Sequence, residues 1–373
     1  MKKQVRPTIS LKQILWTSLG KSAVYVCFVR VVMMKKLKFA VLGCGFWAHY
    51  QISAWLELEG VELVALYNRT RAKAENLAQK FGVANVYDHV DELLDHHAHE
   101  LDFVDIITEV DAHAQLTTQV AARGLNVICQ KPMARSLAEA ESMMKATQNV
   151  KFYIHENFRW QAPMRRLKEI LDSGIIGKPF KARISFCTGF PDLYVNQPLL
   201  KQIENLIIAD NGSHQLDLVR FFFGEAQYLY CMTRRVVADL KGEDVANILI
   251  RTEQEVDCFV ELSFNSIYEN EYFPQTLILV EGEKGSAYLM GNYEIRVTTR
   301  SGTTSETVSP RLYDWLNPDY AVVHSSIVDC NRDILNDLKG IAPAETTGQD
   351  NFKTVQLVFA AYDSARSNQV IHL

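Results

Sequence analysis

Short apolar runs alternate with amphipathic stretches along the first half of the chain. Residues 38–43 (KFAVLG), 61–67, 103–108 and 126–129 are apolar and rich in β-branched side chains. Between them, residues 46–58, 71–81, 111–123 and 136–147 carry helix formers at helical spacing. Strands buried on both faces read as continuous apolar runs, and βαβα alternation predicts an α/β, doubly wound parallel sheet. Beyond about residue 160 the texture changes. Helical patterns at 163–173 and 211–223 precede strand candidates at 228–237, 245–251, 256–264, 275–281 and 286–290, set apart by turn signals such as EGEKG at 281–285. Helical patterns return near 320–338 and 349–365. This predicts an α+β domain with a largely antiparallel sheet. There is no repeat or linker, so domains at 34–160 and 161–373 are expected to meet over a broad interface.

Composition agrees with two domains. The 373 residues are 48% apolar and 22% charged, as in ordinary globular protein. A net charge of −5 argues against nucleic acid or an anionic membrane as a general partner. The charge is unevenly spread. Residues 1–33 hold Lys2, Lys3, Arg6, Lys12, Lys21 and Arg30 and no acid, which is +6 and leaves −11 on residues 34–373. Their apolar stretches are interrupted by Lys12, Lys21 and Arg30, short of the roughly 20 residues of a membrane span. The segment is expected to be a disordered or untranslated extension rather than a targeting signal. Seven scattered cysteines without a C-x-x-C predict no disulfide framework or thiol metal site, and fit a reducing cytoplasm. His96, His97 and His99 lie in an acidic stretch (DELLDHHAHELD) and read as solvated surface, so no metal is expected.

Three groups of residues carry chemistry. Gly43-Cys44-Gly45-Phe46-Trp47-Ala48 is a G-x-G-x-x-A loop between a strand and a helix. Its glycines permit a tight turn and close approach of a pyrophosphate, and the helix amides then hold the phosphates. The second strand ends in Tyr67-Asn68-Arg69-Thr70, where an acid would grip the ribose hydroxyls. Asn68 can still bond a hydroxyl, while Arg69 and Thr70 suit a 2′-phosphate; taken alone, this turn favours NADP over NAD. Lys131, after the strand-like run 126–129 and before Pro132, falls at a strand's carboxyl end, where it can hold a substrate hydroxyl. A cis Lys131–Pro132 bond is expected to aim it at the cleft. Asp210 and His214, four apart, are predicted to share a helix face, a carboxylate orienting a proton acceptor, with Asp217 and Arg220 further along. A capping Asp beside a core histidine would leave the same spacing. The polar and aromatic run His155-Glu156-Asn157-Phe158-Arg159-Trp160 lies at the domain crossover, where a cleft should form.

These motifs together resemble the Gfo/Idh/MocA family of sugar and polyol oxidoreductases. The likeness spans nearly all of 34–373 and rests on the glycine loop, Gln130-Lys131-Pro132, the run at 155–160 and Asp-x-Gly-x-His-x-x-Asp at 210–217. It departs at Gln130, where the family more often has Glu, and at Glu109-Val110, where a Pro-rich turn is frequent. The resemblance implies a Rossmann domain plus an open-sheet C-terminal domain, and a homo-oligomer, dimer or tetramer, built through that sheet. It implies Lys131, Asp210 and His214 as catalytic residues. His214 would take the hydroxyl proton, Asp210 would orient it, and Lys131 would bind the reacting oxygen. The dinucleotide would contact Gly43, Cys44, Gly45, Phe46, Trp47, Asn68, Arg69, Thr108, His113, Gln130, Lys131, Asn157, Arg159 and Trp160. Asn157 and Asn196 would join the catalytic trio around a sugar. Segments at 189–191, 196–198, 242–246, 273–276 and 344–351 are similar to a branch of the family that oxidises a branched pentose at its anomeric carbon to a lactone. That branch uses NAD, which the resemblance favours over NADP. Rival readings are another sugar or polyol dehydrogenase, a glycosidase using NAD transiently, and a non-enzymatic dinucleotide sensor.

Overall fold

Six short parallel strands form the first sheet of the computed structural model, which describes residues 35–189 and 198–373. The expectations for residues 1–33 and for Asn196 lie outside the described residues. The strands are β1 (Leu37–Leu42), β2 (Val61–Tyr67), β3 (Asn85–Tyr87), β4 (Phe103–Ile106), β5 (Asn126–Gln130) and β6 (Phe152–His155), in the order β3-β2-β1-β4-β5-β6. That order reverses between β1 and β4, so a ligand crevice opens at the carboxyl ends of those two strands. Helices α1 (Phe46–Leu56), α2 (Arg71–Phe81), α3 (Val90–His97), α4 (His113–Ala122) and α5 (Leu137–Ala146) make the crossovers. Both sheet faces are covered. Phe39, Val41 and Phe103 pack with Trp55 on one side, and Ala40, Leu42, Val104 and Ile106 with Leu93, Leu116 and Val120 on the other. The two-sided burial is the physical origin of the continuous apolar runs.

After α6 (Ala162–Asp172) comes β7 (Pro179–Cys187), and α7 (Ser213–Phe223) precedes β8 (Ala226–Arg234). β9 (Val245–Thr252), β10 (Asp257–Ser263), β11 (Leu277–Gly282), β12 (Gly285–Leu289), β13 (Glu294–Thr299) and β14 (Gly302–Thr307) follow. Helices α8 (Ala321–Leu338) and α9 (Gly348–Ser367) and a short β15 (Ile371–His372) end the chain. The nine strands run in the order β14-β13-β12-β11-β7-β10-β9-β8-β15. Every neighbouring pair is antiparallel except β7 with β10. The expected mostly antiparallel sheet is present, but its central strand, β7, was absent from the sequence reading. β7 opens on a proline and turns Lys181 and Arg183 outward while burying Ala182, Ile184 and Phe186. β3, β6, β13, β14 and β15 were likewise missed, most of them being short or polar. One face of the sheet is buried under α6, α7 and α9 through Leu167, Leu216, Val219 and Leu357. Among the described residues no helix is long and apolar enough to cross a membrane.

The late helices do not stay with the second sheet. Ile327, Ile334 and Leu335 of α8 join the core of Phe39 and Trp55, and Val355 of α9 joins that of Leu42 and Val104. The chain passes between the two sheets through residues 155–160, which are buried except for the half-buried Trp160. There Arg159, 5% exposed, bonds both carboxylate oxygens of Asp217 at 2.5 and 2.6 Å and reaches Asp350 at 2.7 Å. Arg220 extends the network to Asp350 at 2.9 Å and Glu225 at 2.9 Å. Burial alone would lower the Arg159 pKa, but Asp217 and Asp350 raise it above its ordinary value, so the guanidinium stays charged. Removing one partner of such a pair strands the other charge, at a cost of about 3–5 kcal/mol. Asp217→Ala should therefore lose stability of that order in urea unfolding; a loss below about 1 kcal/mol would show that the network contributes little.

Candidate active site

The glycine loop is shaped by contacts that only glycine permits at one position. Gly43 has φ +107°, and a Cβ there would lie 2.3 Å from the Ile107 carbonyl oxygen. Its N–H bonds the Tyr67 carbonyl at 2.8 Å, joining the ends of β1 and β2. Gly45 differs: a Cβ there would meet nothing within 4 Å, so the loop is open on that side. Helix α1 starts directly after it, with no side-chain cap and no acid in its first turn. Unpaired amides at a helix start beside open space fit an anionic pyrophosphate. The Asn68 Oδ1 accepts from the Cys44 N–H at 2.9 Å, and its Nδ2 donates to the Thr70 carbonyl at 2.9 Å. Asn68 thus clips the loop to the end of β2, with its amide N–H side facing the turn. Arg69 and Thr70 beside it are exposed. Phe46 is 76% exposed at the loop, and Trp47 packs where the two cores meet, its buried Nε1 without a partner. Burial pushes the Cys44 thiol up to about 12, so it stays neutral.

Two pairs of side chains converge near the crevice. Lys131 ends the run from β5, and its bond to Pro132 is cis, as expected. Its Nζ donates to Asp210 Oδ1 at 2.9 Å and to the Asp210 carbonyl at 3.3 Å. The His214 Nδ1 lies 2.5 Å from Glu156 Oε1, and the Phe158 ring stacks on the imidazole at 3.7 Å and 8°. Lys131 and Asp210 are 23% and 39% exposed, whereas His214 and Glu156 are 5% and 1% exposed, so the first pair meets solvent and the second lies behind it. The His214 Nε2 has no hydrogen-bond partner among the described residues. Burial raises the Glu156 pKa, but His214, the Phe158 N–H and Lys131 outweigh it and hold the carboxyl below its ordinary value.

Several expected roles need correction. Asp210 was expected to orient His214; instead Lys131 bonds Asp210, and the His214 Nδ1 bonds Glu156. Asp210 sits in a wide π-turn, Ile208–Gly212, directly ahead of α7 and His214. Four residues expected to touch the dinucleotide are engaged inside the protein. Arg159 serves the buried ion network. The Asn157 Nδ2 donates to the Val323 carbonyl at 3.0 Å and to Ser326 Oγ at 2.8 Å. The His113 ring, 1% exposed, bridges the carbonyls of Thr108 and Pro132, both at 3.0 Å. The Gln130 amide bonds Gln51, which donates to both oxygens of Asp105, at 2.9 and 2.8 Å. Burial raises the Asp105 pKa to about 7, against the hydrogen bonds from Trp55 and Gln51. The Thr108 Oγ1 is buried without a partner, and Trp160 lies under the Arg165 guanidinium at 3.3 Å. His97 bonds Tyr87 at 3.0 Å and Glu100 at 2.8 Å, while His96 and His99 are exposed. Glu156 was quoted within the run at 155–160 but given no role. The available signal was a carboxylate following the buried FYIH of β6, where charge needs a partner.

Comparison with known proteins finds matches along most of the chain. Residues 37–158 match the family model described as the GFO_IDH_MocA oxidoreductase family, NAD-binding Rossmann fold, and residues 164–288 match the GFO/IDH/MocA C-terminal domain. A D-apiose dehydrogenase of Paraburkholderia graminis is 36% identical over 353 residues, covering 94% of this chain and 93% of that protein. One from Rhizobium rhizogenes is 36% identical over 342 residues, covering 91% and 98%. The crystal structure of an oxidoreductase from Agrobacterium radiobacter in complex with NAD+, L-tartaric acid and magnesium superposes with a TM-score of 0.87 at 36% identity, covering 91% of this chain and 98% of that one. The glycine loop yields a contrast that can be measured. Gly45→Ala should fold normally, because its side chain meets no atom, yet weaken NAD binding by about tenfold or more by crowding the pyrophosphate. Gly43→Ala should destabilise the fold itself. Calorimetric NAD titration with thermal melting checks both, and a Gly45→Ala variant binding NAD as tightly as the parent would remove the loop from the cofactor site.

Proposed function

Because the chain belongs to the Gfo/Idh/MocA family of oxidoreductases, we propose that it is an NAD-dependent sugar dehydrogenase that oxidises D-apiose at its anomeric carbon to D-apionolactone. The observation that carries this reading is the convergence of Lys131–Asp210 and His214–Glu156 beside the crevice of a dinucleotide fold. NAD, when bound, supplies the acceptor for the hydride leaving the sugar carbon. Gly43, Gly45 and the first amides of α1 would hold its pyrophosphate, with Phe46, Trp47, Asn68 and Arg69 around them. Lys131 Nζ, oriented by Asp210, donates a hydrogen bond to the reacting oxygen. His214 Nε2 accepts the hydroxyl proton. The names of the two 36% identical relatives support D-apiose over other sugars. Six free cysteines among the described residues, five of them buried, support a reducing cytoplasm.

The outer face of the second sheet supports self-association. Tyr230, Leu249 and Phe259 are cross-strand neighbours on β8, β9 and β10, and Leu249 and Phe259 are 42% and 40% exposed. We infer that a second copy covers this row. Light scattering should find an oligomer, and Leu249→Glu with Phe259→Glu should reduce it to a monomer; a parent that is monomeric at micromolar concentration would refute the inference.

The catalytic reading is checked by mixing the protein with NAD and a panel of pentoses while following reduced nicotinamide. D-apiose should give the highest kcat/KM. Lys131→Ala and His214→Ala should each lower kcat by about 100-fold or more while NAD affinity stays nearly unchanged. Turnover at the parent rate in both variants, or no NADH from any free sugar, would overturn it.

A further inference from the structure

We propose that Glu156 is the positioning residue of the proton acceptor, fixing His214 in the tautomer that carries its proton on Nδ1 and leaves Nε2 bare toward the substrate. This rests on the dehydrogenase reading, in which His214 must accept a proton. A histidine's tautomer is set by the hydrogen bond that its other ring nitrogen makes. Here that bond is the 2.5 Å contact to Glu156 Oε1. The Oε1 facing the ring already accepts the Phe158 N–H, and a carboxylate oxygen accepts only, so the shared proton belongs to the His214 Nδ1.

The carboxylate is itself held in place. Its Oε1 also accepts the Phe158 N–H at 3.2 Å, and the Glu156 N–H donates to the Ile154 carbonyl at 2.8 Å. Phe158, two residues on, stacks flat on the imidazole and restricts its rotation. One short segment therefore supplies both the acceptor that fixes the proton and the ring that fixes the plane. Asp210, the other carboxylate near this ring, bonds Lys131 rather than His214. His155, also near, bonds Asn331 at 3.0 Å, and burial lowers its pKa to about 4, so it adds no competing charge.

The charge of Glu156 has a second effect. Glu156 and Asp210 bring two negative charges and Lys131 one positive charge to the surroundings of His214, −1 in sum before the ring takes up a proton. When Nε2 takes the substrate proton, the group becomes neutral and the imidazolium rests against a carboxylate that water does not screen. Glu156 should therefore favour the protonated product of the transfer as well as the correct starting tautomer.

The test separates these effects without relying on turnover alone. In 15N spectra of histidine-labelled protein, the parent should show His214 as the Nδ1–H tautomer. Glu156→Ala should move that signal toward the Nε2–H tautomer and lower kcat by about 10²–10⁴-fold, with the sugar KM and NAD affinity within about threefold of the parent. Glu156→Gln keeps an amide oxygen for the Nδ1–H, so it should retain the parent tautomer and lose only about tenfold in kcat. An alanine variant with the parent tautomer and parent kcat would overturn the proposal, as would a parent showing the Nε2–H tautomer. If Glu156→Ala does not fold by circular dichroism, Glu156→Asp, one methylene short of Nδ1, replaces it under the same criteria. The tautomer needs no substrate to be seen. A failed sugar assay with the Nδ1–H signature intact would therefore count against the dehydrogenase reading and not against the role of Glu156.

Discussion

Arg159 and Asp217 are both almost wholly withdrawn from water, and each is stable there only because the other is present. Three residues before Arg159 stands Glu156, and three before Asp217 stands His214. The same two segments thus meet twice, once as guanidinium with carboxylate and once as carboxylate with imidazole. A fixed ion pair three residues along sets the register in which Glu156 finds the His214 Nδ1. The remaining side chains of the run at 155–158 brace the same segment: His155 on Asn331, Asn157 on Ser326, Phe158 flat on the His214 ring. Hydrogen bonds to charged groups tolerate little displacement, so the precision of the Glu156–His214 contact is inherited from the rigidity of its neighbour.

How much of this was legible in the sequence depended on distance along the chain. The glycine loop is local: Gly43, Gly45 and the helix after them are adjacent, and the requirement for a positive φ is written at a single position. Four of the six parallel strands, β1, β2, β4 and β5, were legible because burial on both faces leaves mostly apolar runs; β3 and β6 were not. β7 was not, since its outward Lys181 and Arg183 and opening Pro179 disguise a central strand as a charged loop; period-two alternation was its only mark. The pairing of His214 was illegible for another reason. Four-residue spacing made Asp210 the obvious partner, whereas the true one stands 58 residues earlier and is selected by tertiary packing. The π-turn that carries Asp210 ahead of α7 has no sequence signature that spacing arguments can use.

Residues named for the cofactor divide along a similar line. Gly45, Phe46 and Arg69 face open space. His113, Gln130, Asn157 and Arg159 lie in the same motifs but face inward, where they tie strand ends and helices together. A motif can mark a site and still contain side chains whose hydrogen bonds run inside the protein. His113 shows why such a residue still matters: it joins the turns after β4 and β5, which carry Thr108 and Lys131.

The doubled contact between the crossover and α7 also bears on how such a protein can be recombined. A chain cut near residue 160 divides into an N-terminal half that owns Glu156 and Arg159 and a C-terminal half that owns His214 and Asp217. Exchanging either half for one that lacks its two residues would lose both contacts at once, however well the two sheets were preserved. In this chain the two halves therefore work as a matched set.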